Sequence, residues 1–163
     1  MTKIPTAMET TTTLPYNAEA ERSVLGSILL DKSLFSNVSL IINKPDFFYL
    51  ENHQTLFKAI LELATNHQPL DVIPVSEKLK QQGKLERIGG IPFLTSLTDE
   101  VVASESNVNF YAEIIKEKFI RRELSRVGHD IISTSCNQTI GFEDCVSKAQ
   151  QLVFEVTKEK NKN

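Results

Sequence analysis

The sequence contains no tryptophan and only two cysteines among its 163 residues. Cys136 and Cys145 do not have the spacing of a Cys-x-x-Cys motif, and neither has a histidine beside it at ligand spacing. This pattern argues against a zinc site and against a redox-active pair. In a reducing compartment we expect two free thiols rather than a disulfide. We therefore predict no metal site in this chain.

Long apolar runs are also missing from the sequence. No stretch approaches the ~20 apolar residues that a membrane-spanning helix requires. The first residues, with a threonine cluster after Pro5, lack the apolar segment and the small-residue cleavage site of a secretory signal. We therefore expect a cytoplasmic protein with no membrane partner.

The sequence also has no excess of basic over acidic residues. Lys and Arg total 18 and Asp and Glu total 21, so the formal net charge is -3 and the sequence pI is about 5.7. A nonspecific nucleic-acid binder relies on a basic field. We therefore expect little or no direct nucleic-acid binding by this chain.

Glycine patterns that bind nucleotides are absent as well. In the Gly83-Lys84 pair, a leucine follows where a phosphate-binding loop has Ser or Thr, and Lys78 stands where the first glycine of that loop belongs. The Gly89-Gly90 pair has neither a preceding strand nor the third glycine of a dinucleotide fingerprint. We predict no cofactor site in this chain and no enzymatic activity for this chain by itself.

Candidate catalytic side chains do not form a constellation. His53, His67 and His129 lie on three different predicted elements, and we expect each to be structural or exposed. His53 follows an aromatic cluster at the start of a helix, so we expect it to be buried and to donate to a carbonyl. Asp71 and Glu77 share a helix, where they fit a cap and a surface charge better than an acid/base pair. We predict no catalytic residue.

Apolar periodicity predicts a cluster of short helices in the first hundred residues, and no sustained strand alternation interrupts it. Asn17 is placed to cap the first helix, and Asp31 the second. Further helices are predicted over residues 51–66, from Asp71 to about residue 82, and over residues 91–97. The fold class is therefore all-α, with residues 1–13 as a disordered leader and residues 14–106 as a helical globular subdomain.

The last third of the chain predicts an antiparallel helical hairpin over residues 107–158. A helix over residues 107–135 would reach ~40 Å at 1.5 Å per residue, longer than the globular subdomain is wide, so the hairpin should protrude. Apolar residues repeat at steps of four and three in both segments, the period of helices that pack along a seam. We predict hairpin or oligomer contacts at Ile120, Leu124, Val127, Ile131, Val146, Val153 and Val156. Residues 159–163 have the polarity of a linker.

Further apolar residues on the first hairpin helix lie off this seam, namely Tyr111, Ile114, Ile115 and Phe119. They can pack on the globular subdomain of the same chain or on a second chain, and the sequence leaves both possibilities open. The densest basic stretch, residues 116–126, has glutamates at helical contact spacing, which favours a solvated ion-pair face. The alternative is that Arg121, Arg122 and Arg126 face a central channel or an acidic partner.

Ordered blocks of the sequence resemble the opening of bacterial replicative DNA helicases of the DnaB family. The blocks are residues 17–26 (NAEAERSVLG), Leu30-Asp31, His53-Gln54, residues 57–60 (FKAI), Pro69-Leu70-Asp71, residues 79–97 (LKQQGKLERIGGIPFLTSL) and residues 107–122 (NVNFYAEIIKEKFIRR). The match spans about residues 14–158. The resemblance implies a compact six-helix globular subdomain followed by a protruding helical hairpin.

The resemblance also implies partners and a missing part. In this family the hairpins pair, three pairs assemble into the collar of a hexamer, and a C-terminal ATPase domain outside this chain binds ATP and Mg. Primase is the partner that it implies for the collar, with a helicase loader second. For primase contact we predict Phe93, Arg122 and Leu124. The competing hypothesis is a free-standing adaptor or inhibitor that mimics this N-terminal domain.

Overall fold

A computed structural model describes residues 13–162, and within that range every regular element is helical. Residues 1–12 of the predicted leader lie outside the described residues. The helices are α1 (Ala18–Leu30), α2 (Phe35–Ile41), α3 (Glu51–Thr65), α4 (Val72–Gln81), α5 (Leu85–Ile88), α6 (Gly90–Asp99), α7 (Glu105–Cys136) and α8 (Phe142–Asn161). Short 3₁₀ turns cover Lys32–Leu34 and Pro45–Phe47. The predicted all-α class, six globular helices and then a hairpin, is confirmed.

Side-chain caps lie where the sequence indicates, at the start of α1 and at the start of the 3₁₀ turn that leads into α2. The Asn17 carboxamide accepts a hydrogen bond from the Ala20 amide at 2.9 Å, and the Asp31 carboxylate accepts one from the Ser33 amide at 2.9 Å. Each bond satisfies an amide that has no partner inside its helix. The cap expected of Asp71 is wrong, because its side chain makes no cap hydrogen bond although the residue precedes α4.

Helix α5 is the globular helix that the apolar period does not predict. It has only four residues, too few to show a period, and it ends at Gly89, whose φ is 116°. Gly90 follows with a φ of 68°, and α6 begins there. Glycine accepts these left-handed conformations without a Cβ clash, so the predicted tight turn is present at Gly89-Gly90.

The core of the globular subdomain encloses its large side chains almost completely. The side chains with less than 2% exposure include Phe47, Phe48, Phe57, Leu25, Ile28, Ile42, Leu56, Ile60, Leu79, Leu94 and Leu97. Helices α1 and α6 approach so closely that a Cβ on Gly26 would lie 2.0 Å from the Leu97 carbonyl oxygen. Glycine at position 26 is therefore a requirement of this packing.

The first half of α7 belongs to this core. Val108, Ala112, Ile115 and Phe119 are buried, and Tyr111 and Ile114 pack against the same cluster. The Phe119 ring stacks on Phe47 with centroids 4.4 Å apart. The off-seam residues of α7 therefore dock on the globular subdomain of their own chain.

The second half of α7 pairs with α8, which has extensive helix contacts with α7 alone. The residues of α8 with reduced exposure are Cys145, Ala149, Leu152, Val156 and Glu159, at steps of four, three, four and three. They face Val127 and Thr134 of α7, which are buried. The seam on α8 therefore runs through these residues, and Val146 and Val153 lie outside it. The hairpin is longer than the predicted range of residues 107–158, because α7 begins at Glu105 and α8 ends at Asn161.

Candidate interaction surface on the hairpin

An exposed apolar stripe runs along one side of the hairpin. On α8 the exposed fractions are 78% for Phe142, 41% for Val146 and 44% for Val153. Their spacing, four and then seven residues, places them on one helix face. On α7, Leu124 is 50% exposed, and the half-buried Ile131 follows it two turns later. Leu124, Ile131, Phe142, Val146 and Val153 are called the apolar hairpin face below.

A cleft at the base of the hairpin shows that the two stripes lie on the same side. Its volume is about 500 Å³, and Leu124 and Ile120 of α7 line it together with Lys160 of α8. The remaining lining residues are charged and belong to α7, namely Glu113, Lys116, Glu117 and Arg121. Lys160 lies two turns beyond Val153 on the same face of α8, so that face continues beside Leu124. The apolar hairpin face therefore spans both helices.

The opposite side of the hairpin is charged. A smaller cleft there is lined by Glu123 and Arg126 of α7 and by Glu155 and Glu159 of α8. Arg126 pairs with Glu123 at 3.0 Å and with Asp130 at 2.9 Å. The hydrogen bond from Arg126 to Glu123 raises the pKa of the arginine. Arg121 pairs with Glu117 at 2.8 Å, as the helical spacing of the charges predicts, but this pair lines the cleft beside Leu124.

The predicted contact residues of the hairpin divide into two groups. Val127 and Val156 lie in the seam, and Ile120 is half-buried beside it. Leu124, Ile131, Val146 and Val153 belong to the apolar hairpin face. Contact between this face and a second copy stays a prediction.

Arg122 joins three segments at the root of the hairpin. Its guanidinium donates to the Pro15 carbonyl at 2.9 Å and to the Phe47 carbonyl at 2.8 Å. It also lies over the Tyr49 ring, 5.4 Å from the centroid, which is an attractive cation–π geometry. Burial lowers the pKa of Arg122. The donors of this side chain are therefore directed inside the chain.

The three residues predicted for primase contact differ in their surroundings. Phe93 is half-buried on α6 and stacks on the His53 ring, with centroids 5.9 Å apart. Arg122 is held by the carbonyls described above, and Leu124 faces solvent. Of the three, Leu124 is the most exposed, and the primase contact of all three stays a prediction.

A buried carboxylate that sequence reasoning missed holds the loop before α3. Glu21 accepts hydrogen bonds from the Tyr49 amide at 2.8 Å, the Leu50 amide at 3.3 Å and His53 Nδ1 at 3.4 Å. Both side chains of the Glu21–His53 pair are 2% exposed. The expected carbonyl partner of His53 is therefore wrong, because the acceptor is this carboxylate.

A signal for the Glu21 site is present in the sequence. Glu21 precedes Val24, Leu25 and Ile28 by three, four and seven residues, the spacing of one buried helix face. A buried carboxylate needs donors, and the two loop amides and the imidazole supply them. The group ties α1 to α3 and has a structural role.

Three further observations concern metal binding, membrane spanning and the cysteines. Within residues 13–162, no group of three or more His, Cys, Asp or Glu side chains is gathered where it could hold a metal ion. None of the helices described in that range has the length and apolar character needed to cross a bilayer. Cys136 and Cys145 both carry free thiols.

Comparison with protein families gives a match over most of the chain. The family model described as DnaB-like helicase N terminal domain matches residues 13–117. The replicative DNA helicase DnaC of Bacillus subtilis is 35% identical over 147 residues, which cover 90% of this chain and 32% of the relative. The replicative DNA helicase DnaB of Treponema pallidum is 35% identical over 143 residues, 88% of this chain and 32% of the relative. The chain thus spans about a third of these curated relatives.

Solved structures share the fold. The N-terminal domain of DnaB helicase from Mycobacterium tuberculosis aligns with a TM-score of 0.80 and 33% identity, over 87% of this chain and 99% of that one. A second structure, described as a DnaB-like replicative helicase and its interactions with primase, aligns with a TM-score of 0.73 and 24% identity. It covers 88% of this chain and 31% of its own.

Proposed function

Because the chain belongs to the DnaB-like helicase N-terminal domain family, we propose that it is the assembly and docking part of a replicative DNA helicase. In this proposal the whole protein unwinds duplex DNA at the replication fork in the cytoplasm. ATP and Mg²⁺ bind to an ATPase domain outside this chain, because the Gly83-Lys84 segment lacks the residues of a phosphate-binding loop. This part contributes contacts rather than chemistry.

The observation that carries the proposal is the apolar hairpin face. Leu124, Val146 and Val153 remain 41–50% exposed although α7 and α8 already pack against each other. Exposed apolar side chains that share one face of a helical hairpin are typical of a surface that another subunit covers. Two copies related by a twofold axis can cover each other's face, which makes a dimer. Three such dimers would form the collar of a hexamer.

Primase is the partner that we propose for the collar. The support is the resemblance described above, together with a similar fold in a helicase structure described with its interactions with primase. Leu124 is the exposed member of the predicted contact set, and Phe93 and Arg122 are half-buried. A helicase loader is a second partner in this proposal.

The assembly proposal is tested by the mass of the chain in solution. We expect sedimentation velocity to show dimers or larger species that dissociate on dilution, and Leu124→Asp to shift the population to monomer, because it places a charge on the apolar hairpin face. Leu40→Asp is the matched control, since Leu40 is 73% exposed on the globular subdomain. A wild type that stays monomeric at high micromolar concentration, or equal effects of both substitutions, would contradict the proposal.

The docking proposal is tested by co-elution with the C-terminal region of primase. We expect a complex with the wild-type chain and a weaker one with Leu124→Asp, while Leu40→Asp leaves the complex unchanged. No co-elution at any ratio would remove primase from the proposal without affecting the assembly test.

Two other functions are less well supported. The curated relatives are replicative helicases, which supports the helicase interpretation over the free-standing adaptor. Direct nucleic-acid binding predicts an affinity that falls steeply with added salt. With a net charge of -3 we expect no such binding at physiological salt, which fluorescence anisotropy with a labelled oligonucleotide would check.

A further inference from the structure

A wide groove crosses the globular subdomain on a side to which no described residue of α7 or α8 contributes. Its volume is about 890 Å³. One face of α3 forms a side of the groove through Gln54, Lys58, Leu61 and Thr65, at spacings of four, three and four residues. Helices α4 and α5 and the 3₁₀ turn at Pro45–Phe47 all pack against α3 and supply the other lining residues. The groove is thus fixed by the helix packing.

The groove is basic although the chain is acidic. Four cationic side chains line it, Lys58, Lys78, Lys84 and Arg87, against two carboxylates, Asp46 and Glu62. The Glu62 carboxylate forms an ion pair with the Lys78 ammonium at 3.4 Å, and the Arg87 guanidinium forms one with the Glu51 carboxylate. Within residues 13–162, Lys58 and Lys84 make no ion pair. Among the described residues Lys58 and Lys84 therefore stand against one carboxylate without an ion pair, Asp46, so the groove keeps a net positive charge in a chain whose net charge is -3.

The composition of the groove favours an acidic peptide over a nucleic acid. Single-stranded nucleic acids bind grooves that combine cations with aromatic rings for base stacking, and no aromatic side chain lines this one. The Asp46 carboxylate, which no described residue neutralises, would repel a continuous phosphate backbone. A peptide places its carboxylates only where cations lie, and its apolar side chains can contact Leu61 and Pro45. We propose that this groove binds an acidic segment of a partner protein.

The proposal is independent of the apolar hairpin face, because the groove and that face share no residue. The charge pattern also gives specificity. The acidic chain repels an acidic peptide at long range, so binding depends on the local pairs with Lys58 and Lys84. Charge reversal at both positions should therefore have a large effect, and the same change elsewhere a small one.

The test uses the full 163-residue chain. The probe is a short fluorescein-labelled peptide of glutamate, aspartate and leucine, measured by fluorescence anisotropy at physiological salt. An oligothymidylate of equal charge is measured in parallel. The test variant is Lys58→Glu with Lys84→Glu. The control is Lys32→Glu with Lys80→Glu, two exposed lysines outside the groove that change the net charge by the same amount.

We expect the peptide to bind the wild type and the control alike, and the groove variant to bind about tenfold more weakly, the loss of two exposed ion pairs. Equal weakening in both variants would mean nonspecific attraction and would overturn the proposal. Binding of the oligothymidylate in place of the peptide, or of neither probe, would also overturn it. So would a loss of self-association in the groove variant, because the occupant would then be a second copy.

Discussion

The globular subdomain and the outer part of the hairpin bury their side chains to very different extents. In the former, whole aromatic and aliphatic side chains are sealed from solvent on every side, whereas the outer hairpin buries little beyond Val127, Thr134 and Val156. Each buried aliphatic side chain contributes roughly 1.5–3 kcal/mol, and each ordered residue costs about 1–2 kcal/mol of backbone entropy. The outer hairpin therefore buries too little of its own surface to offset this entropy cost, and in the proposed assembly a second copy would supply further burial.

Two glycines give the sharpest test of this comparison. Gly26→Ala places a Cβ 2.0 Å from the Leu97 carbonyl oxygen, so we expect a loss of about 3 kcal/mol or more in the free energy of unfolding. Gly128→Ala on α7 meets nothing within 4 Å, so we expect a gain of up to about 1 kcal/mol from helix propensity. Urea unfolding followed by circular dichroism at low concentration measures both. If Gly26→Ala is tolerated, the close α1–α6 contact is wrong.

Removal of the buried charge at Glu21 is the next largest effect. We expect Glu21→Gln to cost about 2 kcal/mol, because the amide replaces one oxygen acceptor with a donor beside the Tyr49 amide. Glu19→Gln is the control, since Glu19 is exposed on the first turn of the same helix. The same urea titration distinguishes the two. Equal stability of both variants would show that the loop before α3 is held by something else.

Arg122 tests whether the root of the hairpin belongs energetically to the globular subdomain. We expect Arg122→Lys to cost about 1–2 kcal/mol, because an ammonium cannot reach both carbonyls with the geometry of the guanidinium. Arg121→Lys should change little, because Arg121 is exposed and its ion pair with Glu117 is solvated. Hydrogen exchange should show faster exchange around Phe47 in the first variant alone. A uniform change along α8 would instead indicate a weakened seam.

The smallest effect concerns pH and lies wholly in the globular subdomain. Hydrogen bonds from the Ser33 hydroxyl and amide hold the pKa of Asp31 below its ordinary value. A lowered carboxyl pKa contributes stability above the unfolded value near 3.9, and this contribution is lost as pH falls through the folded value. The stability gap between wild type and Asp31→Asn should therefore narrow as the solution is acidified below about pH 4. A gap that is constant with pH would contradict this.

The sequence predicts most of the helices because their period, caps and breakers act locally. Asn17 and Asp31 are caps in the structure, and the Gly89-Gly90 turn is present. Helix α5 is missed because four residues cannot show a period. A helix is therefore predictable from the sequence wherever it is long enough for its apolar period to repeat.

The seam and the polar contacts are harder to predict, because they depend on which segments meet in space. Helix α8 has two adjacent apolar stripes, and their period is the same, so sequence alone does not identify which one faces α7. Arg122 resembles a surface charge in the sequence, since the carbonyls of Pro15 and Phe47 that it contacts are distant along the chain. Glu21 was open to prediction from its apolar stripe, but its partners were not.

The fixed root of α7 has a mechanical consequence. The Phe47–Phe119 stack and the two hydrogen bonds of Arg122 attach the first half of the 32-residue helix α7 to the globular subdomain. Helix α7 continues without a break from this attachment to Cys136, so no loop separates the outer hairpin from the globular subdomain along α7. A lateral force on the hairpin tip near Phe142 would therefore act as a torque on the six helices of the globular subdomain. Neighbouring subunits that contact the tip would thus set the orientation of the whole subunit.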